Sequence, residues 1–247
     1  MTRPTATAAT LKRRVRELGA NAISLPGLVL KITDDVDETK TALVRARQSD
    51  VVIFVSPAAV RFAFELQSTL RFVRASTIIA IGNATARALE RRGVSNVHRP
   101  STRQDSEGVL GLPELAHVRG KHVSLIGADG GRGLLSRTLR QRRAKVEPIH
   151  VYRRCTPRYN RSLLAKLEQA PTPLVTLLSS AEVLMNLRST LPLHLYARLA
   201  AGELIVSSKR LAIVAGSHLF AHVHIADSAA PADLLRTACD ALSRHRL

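Results

Sequence analysis

Residues 52–60 read VIFVSPAAV, an apolar run that leads into a serine and a proline. A short apolar run rich in β-branched residues is typical of a strand buried on both faces. Ser56 followed by Pro57 is typical of a helix start, because serine caps free backbone N–H groups and proline fits the first helical position. The stretch therefore predicts a strand whose carboxyl end leads directly into a helix, which is the building unit of α/β proteins.

The same alternation of apolar runs and helical patterns extends along most of the chain, so we predict an α/β protein with parallel sheets covered on both faces. Strands are predicted at 21–25, 51–55, 77–81, 122–126, 146–151, 174–178, 204–207 and 222–226. Helical patterns fall between them, among others at 5–18, 57–70, 83–92, 131–143, 179–190 and 231–243.

Two pairs of stretches echo each other. VIFVSPAAV at 52–60 resembles VTLLSSAEV at 175–183, and TIIAIGNATARAL at 77–89 resembles ELIVSSKRLAIVA at 203–215. Two similar α/β units of about half the chain each would explain the echo, and a cleft between two such units is a common ligand site. The pattern is equally compatible with unrelated strand–helix units, because any two of these look alike at this level.

The chain has 247 residues and a formal net charge of +18. A surplus of this size indicates a polyanionic partner, either nucleic acid or a small molecule with several acid groups. Aromatic residues make up 3% and do not alternate with basic ones, which argues against a surface that stacks bases. The densest basic stretch, within 132–145, follows an amphipathic helix pattern and is interpreted as a solvated helix face.

The sequence lacks the motifs of several classes of protein. No apolar run reaches the roughly 18–20 residues of a membrane span, and no apolar signal segment follows Met1, so we expect a soluble cytoplasmic protein. GADGGRG at 127–133 is not the dinucleotide-binding GxGxxG, and a P-loop is also missing. His218 and His222 have i, i+4 spacing without the glutamate of a zinc motif, so no metal site is predicted.

Small polar residues end several predicted strands and open the helices that follow. The carboxyl ends of parallel strands gather at one sheet edge, where open α/β folds bind ligands. Each helix start offers free N–H groups and a positive dipole end, which suit a carboxylate or phosphate. Capping alone explains any one of these residues, but five such turns in a basic protein predict a surface that binds several acid groups. The turns are Ser56-Pro57, Gly82-Asn83-Ala84-Thr85, Gly130-Gly131-Arg132, Ser179-Ser180 and Ser207-Ser208.

Tyr152 is the candidate for proton transfer. It follows the predicted strand 146–151 and precedes Arg153 and Arg154. Its hydroxyl could donate a proton or a hydrogen bond to a leaving group. The alternative is a tyrosine half buried at a strand end, with its hydroxyl in water.

The chain resembles the uroporphyrinogen-III synthase family nearly from end to end. The resemblance rests on the order and spacing of several motifs rather than on any one of them. They are Thr2-Arg3-Pro4, Leu18-Gly19-Ala20 with Leu25-Pro26, Ile53 through Val60, Ile81 through Ala86, Ser106-Glu107-Gly108 with Leu112-Pro113-Glu114-Leu115, and Gly130-Gly131-Arg132 through Val151-Tyr152-Arg153-Arg154.

The resemblance implies two flavodoxin-like α/β domains with parallel sheets, joined by a two-stranded linker around an interdomain cleft. Residues 1–28 with 156–247 would form one domain, and 29–155 the other. It further implies that no metal and no organic cofactor is used. From the composition we expect no binding to membranes and none to nucleic acid, and we expect a monomer. Family members begin with a strand before the TRP motif, whereas here Met1 stands directly before it. We therefore expect either a sheet that lacks a strand or a true start upstream.

For function, the resemblance implies a lyase. It would close hydroxymethylbilane, a linear tetrapyrrole with eight carboxylates, to uroporphyrinogen III, with inversion of ring D and loss of water. Tyr152 matches the family's cleft tyrosine and is expected to assist loss of the hydroxyl. The alternative is a basic two-domain α/β protein that binds nucleic acid or a small polyanion without catalysis. The residues expected to bind substrate are Arg3, Ser56, Pro57, Asn83, Thr85, Gly130, Gly131, Ser179, Ser180 and Ser208.

Overall fold

The computed structural model describes residue 2 and residues 5–130, 133–178 and 180–244. Helices and strands alternate through these residues. In chain order they are α1 (Thr5–Glu17), β1 (Val29–Ile32), α2 (Val36–Ala46), β2 (Val51–Phe54), α3 (Pro57–Leu66), β3 (Thr77–Ala80), α4 (Asn83–Glu90), β4 (Val97–His98), α5 (Ser106–Leu110), a 3-10 helix (Pro113–Leu115), β5 (His122–Ala128), α6 (Leu134–Gln141), β6 (Lys145–Cys155), α7 (Arg161–Glu168), β7 (Val175–Leu178), α8 (Ala181–Thr190), α9 (Leu193–Ala200), β8 (Glu203–Val206), α10 (Lys209–Gly216), β9 (His222–Ile225) and α11 (Pro231–Ser243).

The chain divides into two compact units. One comprises Leu30–Arg154, and the other comprises Met1–Val29 with Cys155–Leu247. The α/β class expected from the alternating pattern is confirmed by these elements. The domain boundaries, the two-stranded linker and the cleft remain predictions. Within the described residues, no helix combines the length and apolar character of a membrane span.

The Leu30–Arg154 unit is built on a six-stranded sheet in the order β1-β6-β5-β2-β3-β4. The pairings β6–β5, β5–β2, β2–β3 and β3–β4 are all parallel. Successive residues of β2 face opposite sides, and all are buried because helices cover both faces. Val52 and Phe54 pack with residues of α2, α3 and α4, whereas Val51 and Ile53 pack with residues of α5 and α6.

The other unit carries a three-stranded parallel sheet in the order β7-β8-β9. Its two faces are again covered by different helices. Leu204 and Val206 pack with α8 and α9, and Ile205 packs with Leu11 of α1 and Leu234 of α11.

The strand predicted at 21–25 is wrong, because the structure has no strand between α1 and Val29. Leu25 is only 3% exposed and belongs to the core of this unit. The apolar content of 21–25 therefore reflects burial rather than strand pairing, which periodicity alone does not separate. The other seven predicted strands are present. Two short strands that were not predicted, β1 and β4, complete the larger sheet.

Candidate functional site

The carboxyl edge of the six-stranded sheet collects the predicted site residues of its unit. Phe54 is in register with Ala80 on one side and with Ile126 on the other, so these parallel strands end at the same level. Neighbouring strands are about 4.8 Å apart, which makes the residues that follow them neighbours too. In the order of strands β6, β5, β2, β3 and β4, this edge carries Tyr152, Gly130, Ser56, Asn83 and Arg99.

Ser56 joins the start of α3 to Tyr152. Its Oγ accepts a hydrogen bond from the Ala59 backbone N at 3.0 Å, which makes it the N-cap, and Pro57 takes the first helical position. The same Oγ lies 3.1 Å from the Tyr152 hydroxyl, and either oxygen can be the donor. The Ser56 hydroxyl accepts from Ala59 through a lone pair and therefore keeps its own proton to donate. Either hydroxyl of the Ser56–Tyr152 pair can thus be the donor.

The Tyr152 ring is buried between the carboxyl edge of the sheet and α3. It is 5% exposed and stacks on Phe62 of α3, with ring centroids 5.3 Å apart and an interplanar angle of 19°. The Arg61 guanidinium lies 4.3 Å from the Phe62 ring centroid. The alternative of a half-buried tyrosine with its hydroxyl in water is therefore wrong, because the ring is buried and the hydroxyl has Ser56 as a partner.

A β-bulge sets the direction of Tyr152. In the β5–β6 pairing Gly127 is opposite His150, but Ala128 is opposite Tyr152, so Val151 is the extra residue. In a regular strand, successive side chains point to opposite faces, so an exposed face would alternate with a buried one. Here the consecutive residues Val151 and Tyr152 are both buried. Bulges re-aim side chains in this way and are common beside active sites.

The turn between β3 and α4 is occupied by a loop that follows β4. The Asn83 backbone N donates to Gln104 Oε1 at 2.8 Å, and Arg99 Nε donates to Asn83 Oδ1, also at 2.8 Å. Gly82 makes this approach possible, since a Cβ there would lie 2.6 Å from Gln104 Oε1. Thr85 is 1% exposed, so its side chain forms part of the interior beneath the turn.

The turn after β5 is also internally bonded. Gly130 adopts a left-handed backbone with φ of +80°, which glycine tolerates best. Its backbone N donates to Asp129 Oδ1 at 2.7 Å. Any carboxylate that binds this amide must therefore replace the carboxylate of Asp129. Gly131 lies outside the described residues.

In the unit that carries both termini, two predicted residues occupy equivalent places. Leu178 is in register with Val206, so the residues two positions later, Ser180 and Ser208, follow neighbouring strand ends. Ser208 caps α10 by accepting from the Leu211 backbone N at 3.3 Å, whereas Ser180 precedes α8 without a side-chain capping bond. The predicted residues Arg3 and Ser179 lie outside the described residues.

Two histidines of the stretch 218–224, which contains the i, i+4 pair, have partners other than a metal. His224 Nε2 pairs with the buried carboxylate of Glu203, and His218 Nδ1 lies 2.7 Å from a guanidinium nitrogen of Arg188. In the described ranges, no three His, Cys, Asp or Glu side chains are grouped so that they could hold a metal ion.

Sequence reasoning missed three residues of the sheet edge: Phe62, Arg99 and Gln104. Arg99 and Gln104 are 16 and 21 residues from Asn83 along the chain, so no local motif links them to it. Chemically, the edge offers a hydroxyl pair that can donate a proton, together with amide and guanidinium donors for acid groups.

Comparison with known proteins gives one consistent result. The family model described as uroporphyrinogen-III synthase HemD matches residues 9–236. The chain is 31% identical to the uroporphyrinogen-III synthase of Escherichia coli K12 and 32% identical to that of Salmonella typhimurium LT2, in each case over 96% of this chain and 97% of the relative.

Solved structures show the same fold at lower identity. A mutant uroporphyrinogen III synthase from the extremely thermophilic bacterium Thermus thermophilus aligns with a TM-score of 0.60 and 18% identity, over 99% of this chain and 100% of that one. The uroporphyrinogen-III synthetase of Helicobacter pylori 26695 aligns with a TM-score of 0.61 and 14% identity, over 88% of this chain and 92% of that one.

Proposed function

The chain belongs to the uroporphyrinogen-III synthase family, and on this premise we propose how its described residues close hydroxymethylbilane to uroporphyrinogen III. The activity is that of a lyase which releases water. The observation that carries it is a family match that includes both compact units rather than one of them. The residue roles that follow are supported by the geometry of the sheet edge.

The reaction is balanced without an added reagent. The hydroxyl of the terminal hydroxymethyl group takes up a proton and leaves as water, while the pyrrole nitrogen supplies the electron pair that stabilises the remaining cation. The cationic carbon bonds to the substituted α-carbon of ring D and gives a spiro intermediate. The older bond of this α-carbon, to the methylene bridge of ring C, then breaks, and its electron pair restores the pyrrole of ring D while the cation is left on the methylene carbon. That carbon bonds to the other, unsubstituted α-carbon of ring D, which then loses its proton, so that ring D is inverted. The net change is the loss of one water.

Tyr152 supplies the proton in this proposal. Its hydroxyl is positioned by two contacts, the stacking on Phe62 and the 3.1 Å hydrogen bond to Ser56. When Tyr152 gives its proton to the leaving hydroxyl group, a tyrosinate forms. The Ser56 hydroxyl can stabilise it by donating a hydrogen bond with its own proton. The ring-D proton lost at the end returns Tyr152 to its neutral form.

Binding of the eight carboxylates is proposed to use the turns at the strand ends of both units. The turns of the larger sheet contribute Ser56, Pro57, Asn83 and Gly130, and those of the smaller sheet contribute Ser180 and Ser208. Thr85 was predicted for the same role, but its side chain is buried beneath the turn, so we propose that it supports the turn instead. Gly131 and Ser179 are proposed to bind carboxylates on the pattern of strand-end turns, and Arg3 on the resemblance alone. The surplus of positive charge raises the encounter rate with a polyanion, so kcat/KM should fall as salt is added.

We also propose that residues 1–28 with 156–247 and residues 29–155 are two flavodoxin-like domains. The division of the chain into two compact units supports this. The two echoed pairs support it as well, since β2–α3 and β3–α4 lie in one unit and β7–α8 and β8–α10 in the other.

The test is to incubate the purified chain with hydroxymethylbilane and to resolve the uroporphyrinogen isomers after oxidation. Spontaneous closure gives isomer I, so we expect isomer III to dominate only when the protein is present. A heat-denatured sample is the control. Isomer I alone, together with salt-sensitive binding of a DNA duplex, would instead support a binding protein without catalysis.

A further inference from the structure

Arg99, the residue directly after β4, has no role in the function as proposed so far. Its Nε donates to Asn83 Oδ1 at 2.8 Å, and one of its terminal nitrogens lies 3.8 Å from Glu90 Oε1 at the other end of α4. The Asn83 contact is well formed by distance, whereas the Glu90 contact is loose. Arg99 is thus bonded to one member of the turns that we propose to bind substrate.

This hydrogen bond decides which way the Asn83 carboxamide is turned. A guanidinium has only donors, so the atom it meets must be the carbonyl oxygen and not the amino group. The NH₂ of Asn83 is therefore left on the other side of the carboxamide. Within the described part of the chain, Asn83 Nδ2 makes no hydrogen bond.

The backbone N–H of Asn83 is not available in the same way. Gln104 Oε1 accepts from it at 2.8 Å and lies over Gly82, where a Cβ would meet it at 2.6 Å. The first amide of α4 is therefore capped by a carboxamide of the chain itself. A substrate acid group at this turn has the side-chain NH₂ as its free donor, rather than the first backbone amide.

The space beside these residues is large enough for an acid side chain. A cavity of about 460 Å³ is lined by Asn83, His98, Arg99, Ser101, Leu112 and Glu114. The acid of this lining, Glu114, has its Oε1 at 2.5 Å from His98 Nδ1. The cavity lining therefore combines cationic and amide donors with one carboxylate, which pairs with His98 through Oε1 and whose Oε2 is buried without a hydrogen-bond partner among the described residues.

We propose that Arg99 is a positioning residue for substrate binding: it holds Asn83 so that the side-chain NH₂ faces a carboxylate of the substrate. The inference rests on the proposed function, because it assigns one acid-binding turn of that site. A pyrrole acetate or propionate group is the ligand that this donor arrangement fits.

The decisive substitution is Asn83→Asp, which keeps the shape and an acceptor for Arg99 but removes the NH₂. Because the new carboxylate would also repel a polyanion, Ser101→Asp in the same cavity lining is the matched charge control. A merely structural role predicts that Asn83→Asp raises KM no more than this control does. A donor role predicts a KM for hydroxymethylbilane about tenfold to a hundredfold higher, with kcat within about twofold, as for loss of a hydrogen bond to a charged group.

Arg99→Met tests the positioning step, and Asn83→Leu provides the partner for a double mutant. We expect Arg99→Met to raise KM about tenfold in the wild-type background. In the Asn83→Leu background the same substitution should raise KM by less than about twofold, because the effects of residues that act through one contact are not additive. Arg99→Lys keeps a donor and the charge, and should recover most of the affinity. Arg91→Met, which removes an exposed charge at the C-terminal end of α4, is the matched control for general electrostatics.

Two results would overturn the inference. One is a KM in Asn83→Asp that is raised no more than in Ser101→Asp, and the other is an Arg99→Met effect on KM that is equalled by Arg91→Met or that multiplies fully with the effect of Asn83→Leu. Urea unfolding of each variant separates binding from folding. A failure of the proposed function is distinguishable, because the wild-type chain would then form no excess of isomer III in the same assay.

Discussion

The turn between β2 and α3 and the turn between β7 and α8 have nearly the same local sequence but different surroundings. In each, an apolar strand leads through a serine into a helix, and Ser56 and Ser180 both stand at the N-cap, two residues after the strand end. The residue aligned with Ser56 in the sequence echo is Ser179, which lies outside the described residues. Ser56 caps its helix and bonds the Tyr152 hydroxyl, whereas Ser180 forms no side-chain capping bond. The local pattern therefore specifies a helix start in both turns, whereas a partner from a distant strand makes only the β2–α3 turn a candidate for catalysis.

The second echoed pair differs in a similar way. The β8–α10 turn has Ser208 as an N-cap with its own hydroxyl, whereas the β3–α4 turn has Gly82 and takes its cap from Gln104 in a later loop. In the first case the cap comes from the turn itself, and in the second it comes from tertiary structure.

Tyr152→Phe should give the largest effect, because it removes the hydroxyl that distinguishes the β2–α3 turn. We expect kcat to fall between several-fold and about a hundredfold, the usual contribution of a general acid, with little change in stability. Initial rates of isomer III formation measure it.

The control is Tyr196→Phe in the other unit. The Tyr196 hydroxyl donates to the His218 carbonyl at 3.1 Å, so its loss should cost about 1 kcal/mol of unfolding free energy and leave turnover unchanged. Equal rates for wild type and Tyr152→Phe would remove Tyr152 from the mechanism.

Gly82→Ser gives the β3–α4 turn the serine cap of its counterpart. Although serine is a good N-cap, we expect the unfolding free energy to fall by about 1–3 kcal/mol, because the new Cβ would lie 2.8 Å from Gln104 Cβ. In a Gln104→Gly background the clash is absent and the penalty should largely disappear. Urea denaturation of the four proteins measures this; an equal penalty in both backgrounds would contradict it.

Ser56→Ala and Ser180→Ala compare the two serine turns directly. We expect Ser56→Ala to lower the unfolding free energy by about 1 kcal/mol, because the capping bond is lost. Ser180→Ala should change it by only about 0.3 kcal/mol, because Ser180 makes no side-chain capping bond. The measurement is the urea midpoint of wild type, Ser56→Ala and Ser180→Ala under the same conditions. A larger loss for Ser180→Ala would show that the two turns do not differ as described.

The smallest effect concerns pH and the unit that carries both termini. Burial raises the pKa of Tyr159 to about 12, and its hydroxyl donates to the Pro26 carbonyl at 3.0 Å. Because the folded state holds this proton more tightly than the unfolded state, the contribution is complete below pH 10 and is lost as pH rises toward 12.

We therefore expect the urea midpoint of the wild-type chain to fall across this range, and Tyr159→Phe to flatten the fall. Burial raises the pKa of Tyr196 as well, so a smaller slope should remain in the variant. An unchanged slope in Tyr159→Phe would show that other groups cause it.

Periodicity predicted most of the fold because strands and helices of this kind have strong local signals. Residues 51–55 and 77–81 are apolar, β-branched and followed by helix starts, and both form strands. The prediction at 21–25 was wrong because an apolar run indicates burial and not a hydrogen-bonded neighbour. Residues 97–98 form a strand too short for any period to be visible.

The site could be predicted only as a row of strand ends. That Ser56 and Asn83 lie at the same edge of a sheet was expected from parallel topology, but the order of the strands was not. The actual partners of these two residues were not expected either, since the Ser56–Tyr152 hydrogen bond joins residues 96 apart and crosses the strand between them. The bulge at Val151 that turns Tyr152 inward leaves no signature in the residue types.

Local sequence patterns were enough to predict the alternation of strands and helices and the helix starts at Ser56 and Ser208, and the order of motifs was enough to indicate the family. Each of these depends on neighbours within about one helical turn or on motif order. The tertiary structure decided which hydroxyl meets Tyr152, what caps α4, and how the Asn83 carboxamide is turned. Those outcomes depend on strand order, register and one extra residue in β6, which shift side chains by several ångströms without any change in local pattern.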